Sequence, residues 1–223
     1  MTTLRTFVYV DGFNLYYGCL KGTPYKWLDI RKLCELYLPS TNFDLRYIYY
    51  FTAPVSGTPD DPDKPQKQLA YIRALKTLPK FEIIDGHFIT EKITLRRADG
   101  GGPVEVIRPK EKKSDVNLAS MLLWHAHTSA FDMAVIISGD SDFHTPVNMV
   151  RYRFKKQIGI LDPQRNGTPN NPMNKSANFY KQIRVGALQS SQFPIQMSDA
   201  KGNFCKPQDW FDEKPEVVSA MVD

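Results

Sequence analysis

Two aspartates follow an apolar run near the middle of the chain. Asp140 and Asp142 stand in SGDSDF at residues 138–143, directly after the run MAVII at 133–137. A run without polar alternation is typical of a central parallel strand, and ligands bind outside the carboxyl ends of such strands. Two carboxylates this close repel each other unless protons or a cation relieve the charge. Their oxygen donors suit a hard divalent cation, so the pair predicts a Mg²⁺ or Mn²⁺ site.

Two more segments carry an acidic residue where an element begins or ends. The short run TFVYV at 6–10 stops at Asp11, and Asn14 follows three residues later, within reach of the same side of a helix that starts there. Asp115 opens a segment whose apolar residues are close to helical periodicity. A doubly wound sheet can gather all three segments at one edge. Each aspartate could also be only a turn or N-cap residue.

Composition bounds the class of protein. The chain has 223 residues, of which 42% are hydrophobic, enough for one α/β domain with a full core and an appendage. Three cysteines without a CxxC pair argue against a disulfide framework and a zinc knuckle. We expect no membrane span, because no run of about 18 apolar residues occurs. The N-terminus lacks the pattern of a signal peptide, so we expect a cytoplasmic protein.

Positive charge is clustered, although the net charge is only +5. Such clusters suit a polyanion, and beside an acidic metal site they favour a phosphodiester substrate. Each cluster alone would be read as a solvated surface. The predicted substrate-binding residues are Arg96, Arg97, Arg108, Lys112, Lys113 and Arg151.

The order of predicted elements alternates between strand and helix. This order predicts an α/β fold with a doubly wound, mainly parallel sheet. A glycine-rich turn at 99–103 predicts a β-hairpin inserted at about residues 87–110. We expect residues 1–185 to form the domain and 186–223 to be a C-terminal extension packed on it. The predicted strands are 5–10, 45–52, 81–84, 133–138 and 157–161, and the predicted helices are 13–20, 30–37, 64–77, 115–128 and 143–155.

Three motifs together resemble a known family. VDGFN at 10–14, KKSDVNLA at 112–119 and SGDSDF at 138–143 are similar to the motifs of the NYN family, also described as LabA-like, in the PIN-like nuclease superfamily. The resemblance covers roughly residues 5–185. The order and spacing of the three motifs are specific, whereas any one of them alone would be weak.

The resemblance implies a parallel, doubly wound sheet with an acidic pocket at the strand ends, and RNA cleavage that depends on a divalent metal. It implies that Asp11, Asp115, Asp140 and Asp142 are the catalytic and metal-binding acids and that Asn14 belongs to the site. Many relatives carry a further acid within the helix that Asp115 opens. Here the corresponding positions are Met121 and His125, which leaves the number of metal ions open.

Other functions stay open at this point. A haloacid-dehalogenase-like phosphatase also has an aspartate after its first strand, but it needs a second acid two residues later, where Phe13 stands. No P-loop and no GxGxxG motif occurs, so a nucleotide-binding fold gains no support. An inactive RNA-binding adaptor that kept the fold is the main alternative. A homodimer and a regulatory protein partner are both compatible with the sequence.

Overall fold

The computed structural model describes residues 3–164 and 172–211, without the side chains of residues 87–91, 107–112, 172 and 174. The described part has a central sheet of six strands in the order β3-β2-β1-β6-β7-β8, and every neighbouring pair is parallel. The strands, in chain order, are β1 Leu4–Asp11, β2 Phe43–Thr52, β3 Phe81–Asp85, β4 His87–Leu95, β5 Val104–Lys112, β6 Met133–Ile137, β7 Gln157–Asp162, β8 Phe179–Gln182, β9 Gln196–Asp199 and β10 Gly202–Cys205.

Helices connect the parallel strands, and two of them are shorter than the sequence predicts. They are α1 Gly12–Leu15, α2 Ile30–Tyr37, α3 Lys64–Leu75, α4 Ser114–His127, α5 His144–Asn148, α6 Pro172–Ser176 and α7 Val185–Ser190. The predicted helix 13–20 is α1 followed by a π-helical turn, Tyr16–Leu20. The predicted helix 143–155 is a 3₁₀ turn, then α5, then a second π-helical turn, Met149–Arg153.

Side-chain alternation along β1 divides the core into two layers. Val8 and Val10 point to the layer that contains α2 and α3, while Phe7 and Tyr9 point to the layer that contains α4 and α5. All five residues of β6 are buried because this strand is covered on both faces. The predicted doubly wound, mainly parallel α/β fold is therefore confirmed.

The direction of winding changes at the centre of the sheet. The chain moves from β1 outward to β2 and β3, and then returns to place β6 on the other side of β1. The crevice outside the carboxyl ends of β1 and β6 is the switch point at which such sheets bind ligands. Asp11 ends β1 and the SGDSD turn follows β6, so the topology brings these two motifs together.

The inserted hairpin starts and ends near the same edge. Strands β4 and β5 pair antiparallel from His87 with Lys112 to Leu95 with Val104. One residue separates β3 from β4, and α4 begins at Ser114, directly after the hairpin. The base of the hairpin therefore joins the carboxyl end of β3 to the N-terminus of α4.

The chain beyond α7 packs on the layer that contains α3. Phe193 and Trp210 are buried there, and the indole N–H of Trp27 donates to the carbonyl of Pro194 at 2.8 Å. Arg73 on α3 forms a two-point ion pair with Asp199. The rest of the expected extension, 212–223, lies outside the described residues. Within the described ranges, no helix combines the length and the apolar character needed to cross a membrane.

Candidate active site at the carboxyl ends of β1 and β6

Asp11 is the buried centre of the site. It is the last residue of β1, and only 6% of its surface is exposed. One carboxylate oxygen, Oδ1, accepts the backbone N–H of Asn14 at 3.0 Å and so caps α1. The other, Oδ2, accepts the hydroxyl of Ser138 at 3.1 Å. Asp11 therefore connects the end of β1 to the turn that follows β6.

Ser138 and Asn14 complete this connection. The Ser138 hydroxyl oxygen accepts the backbone N–H of Asp140 at 3.1 Å. The side-chain carbonyl of Asn14 accepts the backbone N–H of Gly139 at 2.9 Å. The two motifs that the sequence singled out separately are thus one hydrogen-bonded unit, in which Asn14 holds the SGDSD turn.

The other predicted acids lie closer to solvent. Asp140 is half-buried, and its Oδ1 accepts the backbone N–H of Asp142 at 2.9 Å, which caps the short 3₁₀ turn. Asp142 and Asp115 are exposed. Asp115 lies in the first turn of α4, but the N-cap of that helix is Lys113, which has a left-handed backbone with φ 85°. An N-cap role for Asp115 is therefore wrong.

The pKa of Asp11 is affected by acids from two distant segments of the sequence. The pKa of the Asp11 carboxyl is raised to about 6, mainly by burial and also by the negative charges of Asp115 and Asp140, while its two hydrogen bonds lower it. A buried carboxylate surrounded by like charges favours binding of a proton or a cation.

The donor set fits a hard divalent cation in its chemistry. All of the candidate side chains offer oxygen, the donor that Mg²⁺ and Mn²⁺ prefer. Among the described residues, no three His, Cys, Asp or Glu side chains are grouped closely enough to form a complete cage. Mg²⁺ is usually bound by one or two carboxylates together with several waters, so a site with fewer than three such side chains is compatible with this ion.

A further acid at this edge was missed by sequence reasoning. Asp162 ends β7 and is 1% exposed; its carboxylate accepts the backbone N–H of Gln164 at 2.8 Å and the hydroxyl of Tyr180 at 2.7 Å. Its Oδ1 lies 2.6 Å from the position that a Cβ on Gly139 would occupy. Asp162 therefore supports the SGDSD turn from behind. The signal was present, because an apolar run ends at this acid just as one ends at Asp11.

The hairpin carries part of the predicted basic surface. Arg96 and Arg97 are exposed near its tip, and Arg97 forms an ion pair with Asp99 in the same turn. Lys113 is exposed beside the start of α4. The side chains of Arg108 and Lys112 lie outside the described part of the structure.

Arg151 is not part of this edge. Its guanidinium donates to the side-chain carbonyl of Asn178 at 2.8 Å, and the same oxygen accepts the backbone N–H of Ile158 at 2.9 Å. Ile158 is near the amino end of β7. The helical segment after the SGDSD turn has by then carried the chain to the opposite edge of the sheet, so the structure does not bring Arg151 together with the candidate acids, and its role in substrate binding stays a prediction.

His125 occupies a structural position within α4. Its Nδ1 is 2.8 Å from the hydroxyl of Tyr9, and its ring packs among those of Phe7 and Tyr49. Burial lowers the pKa of His125. A ring-packed imidazole therefore stands at one of the two positions, Met121 and His125, at which the resemblance implies a helix acid in many relatives.

Comparison with known proteins agrees with this geometry. Residues 5–191 match the NYN domain family. The chain belongs to the NYN domain family. This match confirms the resemblance of the three motifs to the NYN family, which indicates a PIN-like nuclease, while the LabA-like assignment stays a prediction.

Two individual proteins are similar to this NYN protein. The 6-hydroxy-3-succinoylpyridine 3-monooxygenase HspA of Pseudomonas putida is 32% identical over 249 aligned positions, which cover 99% of this chain and 79% of HspA. A crystal structure of a Vibrio parahaemolyticus protein of unknown function has 19% identity and a TM-score of 0.54, covering 82% of this chain and 94% of that one. The second likeness supports the fold alone.

Proposed function

We propose that this NYN protein is a divalent-metal-dependent ribonuclease that hydrolyses phosphodiester bonds within RNA chains. The observation that supports this most is the convergence on Asp11. Asp115 and Asp140, from two segments far apart in sequence, influence the buried carboxylate of Asp11 at the switch point of the sheet. Turn or capping roles alone would not require them to meet there.

Asp11 and Asp140, with Asp142 and Asp115 closer to solvent, would hold Mg²⁺ or Mn²⁺. The bound ion supplies a water of lowered pKa and neutralises charge on the phosphate. The other groups of the chain fix the arrangement, since Ser138 and Asn14 hold the carboxylates and the turn in place. The Nδ2 group of Asn14 can donate to a phosphate oxygen.

Hydrolysis adds one water molecule across the bond between phosphorus and the 3′ oxygen. The products are a 5′-phosphate and a 3′-hydroxyl. Asp115 is exposed in the first turn of α4 and close enough for its charge to affect Asp11. We assign it to orienting the attacking water. The cations at the hairpin, Arg96, Arg97 and Lys113, would hold flanking phosphates.

Substitution of one acid tests the proposal. Purified protein with Mn²⁺ is expected to cleave single-stranded RNA, and EDTA is expected to stop it. Asp140→Asn keeps the size of the side chain and removes its charge, so cleavage is expected to fall by at least about 100-fold while RNA binding is retained. Asp44→Asn is the matched control, because Asp44 is at the amino end of β2 and pairs with Arg46.

The adaptor alternative predicts a different result. If the native protein and Asp140→Asn bind RNA equally and neither cleaves any RNA tested, the protein is an RNA-binding adaptor that has kept the NYN fold. Cleavage that persists in Asp140→Asn would instead show that the reaction does not depend on the acidic pocket.

A second candidate activity is oxygenation of a small aromatic heterocycle, as the name of the Pseudomonas putida protein describes for that protein. An aromatic-lined pocket beside Gly12 favours it. The test is oxygen consumption with 6-hydroxy-3-succinoylpyridine and a reduced nicotinamide nucleotide as electron donor. Consumption that depends on both compounds, with no RNA cleavage, would decide for this activity.

A further inference from the structure

A pocket lined by aromatic rings opens beside Gly12, on the face of the sheet that carries α3. Its rings come from α1, the π-helical turn after α1, the end of β2, α3 and the C-terminal segment. They are Phe13, Tyr16, Tyr17, Tyr50, Tyr71 and Trp210. The candidate active site does not use these rings.

The inner wall of the pocket is rigid. Tyr50, Tyr71 and Trp210 are each less than 9% exposed. The ring centres of Tyr71 and Trp210 are 6.2 Å apart, and those of Tyr50 and Tyr71 are 6.5 Å apart. The Tyr71 hydroxyl donates to the carbonyl of Leu28 at 2.9 Å. A ligand would therefore meet a preformed aromatic surface, which favours a flat ring.

One ring at the mouth faces solvent. Tyr17 is 57% exposed, although it belongs to the pocket lining. Tyr16 packs against it edge to face, with ring centres 5.1 Å apart, and so fixes its orientation. An exposed, oriented aromatic ring is the kind of platform on which bases of single-stranded nucleic acid stack.

The pocket also offers positive charge. Lys26 is 8% exposed, with its Nζ 5.9 Å from the ring centres of both Tyr16 and Trp210. Lys67 is neutralised by Asp61 and Asp209. Lys64 lines the same pocket, and within the described ranges no carboxylate lies in ion-pair distance of its Nζ. A ring platform and a cation in the lining of one pocket suit a base with its attached phosphate.

The pocket and the candidate active site share one turn of chain. Gly12 lines the pocket and directly follows Asp11. A Cβ at Gly12 would lie 2.7 Å from Cζ of Tyr50 and 2.7 Å from the carbonyl oxygen of Phe51. The glycine therefore lets the pocket wall approach the end of β1. The pocket therefore adjoins the residue that directly follows Asp11.

We propose that this pocket binds the base of one nucleotide of the RNA substrate, stacked on Tyr17, with Lys64 facing its phosphate. The inference rests on the proposed ribonuclease function and adds a base-binding subsite to it. By binding one base, the pocket would determine which phosphodiester bond of an RNA chain is positioned at Asp11.

Fluorescence anisotropy with a short labelled single-stranded RNA tests the subsite. The measurements use the cleavage-deficient Asp140→Asn protein without divalent metal, so that binding is separated from cutting. Tyr17→Ala is compared with Tyr152→Ala, a matched control that is 55% exposed and lies in the π-helical turn after α5. A second RNA of the same length has abasic residues throughout. It keeps the phosphates but has no bases that could stack on the protein.

We expect Tyr17→Ala to weaken binding of normal RNA by about fivefold or more, as the loss of one stacked base predicts. Tyr152→Ala should not change it, and Tyr17→Ala should leave binding of abasic RNA unchanged. Equal effects of the two substitutions, or equal affinity of the parent protein for normal and abasic RNA, would overturn the proposal.

These experiments distinguish failure of the subsite proposal from failure of the ribonuclease proposal. If protein with native Asp140 cleaves RNA while Tyr17→Ala and Tyr152→Ala bind alike, the ribonuclease function stands and the subsite is rejected. If the protein neither binds nor cleaves RNA, the function is rejected and the subsite with it.

Discussion

The side-chain carbonyl of Asn14 accepts the backbone N–H of Gly139 at 2.9 Å, across 125 positions of sequence. This bond joins the first turn of α1 to the SGDSD turn. Its neighbour, from Ser138 to Asp11, makes the same connection from the other side. The geometry of the acidic site therefore depends on an amide that is not itself acidic.

Removing the Asn14 amide should loosen the SGDSD turn. We expect Asn14→Ala to lower the free energy of unfolding by about 1–3 kcal/mol, because the N–H of Gly139 loses its partner. The rate of RNA cleavage should fall by more than the decrease in folded protein explains. Asn14→Asp keeps an acceptor oxygen and should recover much of the stability, although its charge adds to that of Asp11. Urea unfolding measures the first effect, and equal stability of all three proteins would contradict it.

The buried Asp11 carboxyl makes stability depend on pH. The folded protein keeps this proton up to pH about 6, whereas an unfolded aspartate loses it near pH about 4. Between these values the folded state binds more protons, so this group's contribution to stability falls as pH rises, by up to about 3 kcal/mol in total.

Asp11→Asn isolates this contribution from other titrating groups. We expect the variant to match the native protein near the lower end of the window and to exceed it in stability at neutral pH. Thermal unfolding at several pH values, taken as the difference between the two proteins, gives the test. A difference that stays constant across the window would show that Asp11 titrates normally.

Gly139 should not tolerate a side chain. A Cβ there would lie 2.6 Å from Oδ1 of Asp162, in a buried carboxylate that is fixed by one hydrogen bond at each oxygen. We expect Gly139→Ala to cost about 1–3 kcal/mol of stability and to lower cleavage by displacing the turn. Gly186→Ala in α7 is the control, since nothing lies within 4 Å of its Cβ position, and it should leave cleavage unchanged. Normal stability of Gly139→Ala would contradict the close packing.

The sequence predicts the main parts of the site because their signals are local. Asp11 and Asp140 each follow an apolar run, and a doubly wound sheet brings such run ends together. Asp162 carried the same signal, but the proline and polar residues after it favoured a loop. The bonds of Ser138 and Asn14 could not be predicted, because they depend on how β1 and β6 lie side by side.

The position of Arg151, the two π-helical turns and the aromatic pocket could not be predicted from local sequence. Clustering in sequence suggested that Arg151 faces substrate, yet the number of helical turns after the SGDSD motif decides which edge it reaches. The π-helical turns after α1 and α5 have no counterpart in the side-chain periodicity, which predicts two continuous helices instead. The aromatic pocket combines distant segments and had no sequence signal as a unit.

A divalent cation should stabilise the folded protein through Asp11 and Asp140. Binding to the folded state alone adds about 2.7 kcal/mol when the ion is at about 100 times its dissociation constant. We therefore expect Mn²⁺ to raise the unfolding temperature at neutral pH and EDTA to reverse the rise. The rise should shrink below pH about 6, where Asp11 holds a proton that competes with the ion. Asp140→Asn should lose most of it and Asp44→Asn none. An equal rise in all three proteins would mean that the ion binds elsewhere, and differential scanning fluorimetry on matched samples distinguishes these results.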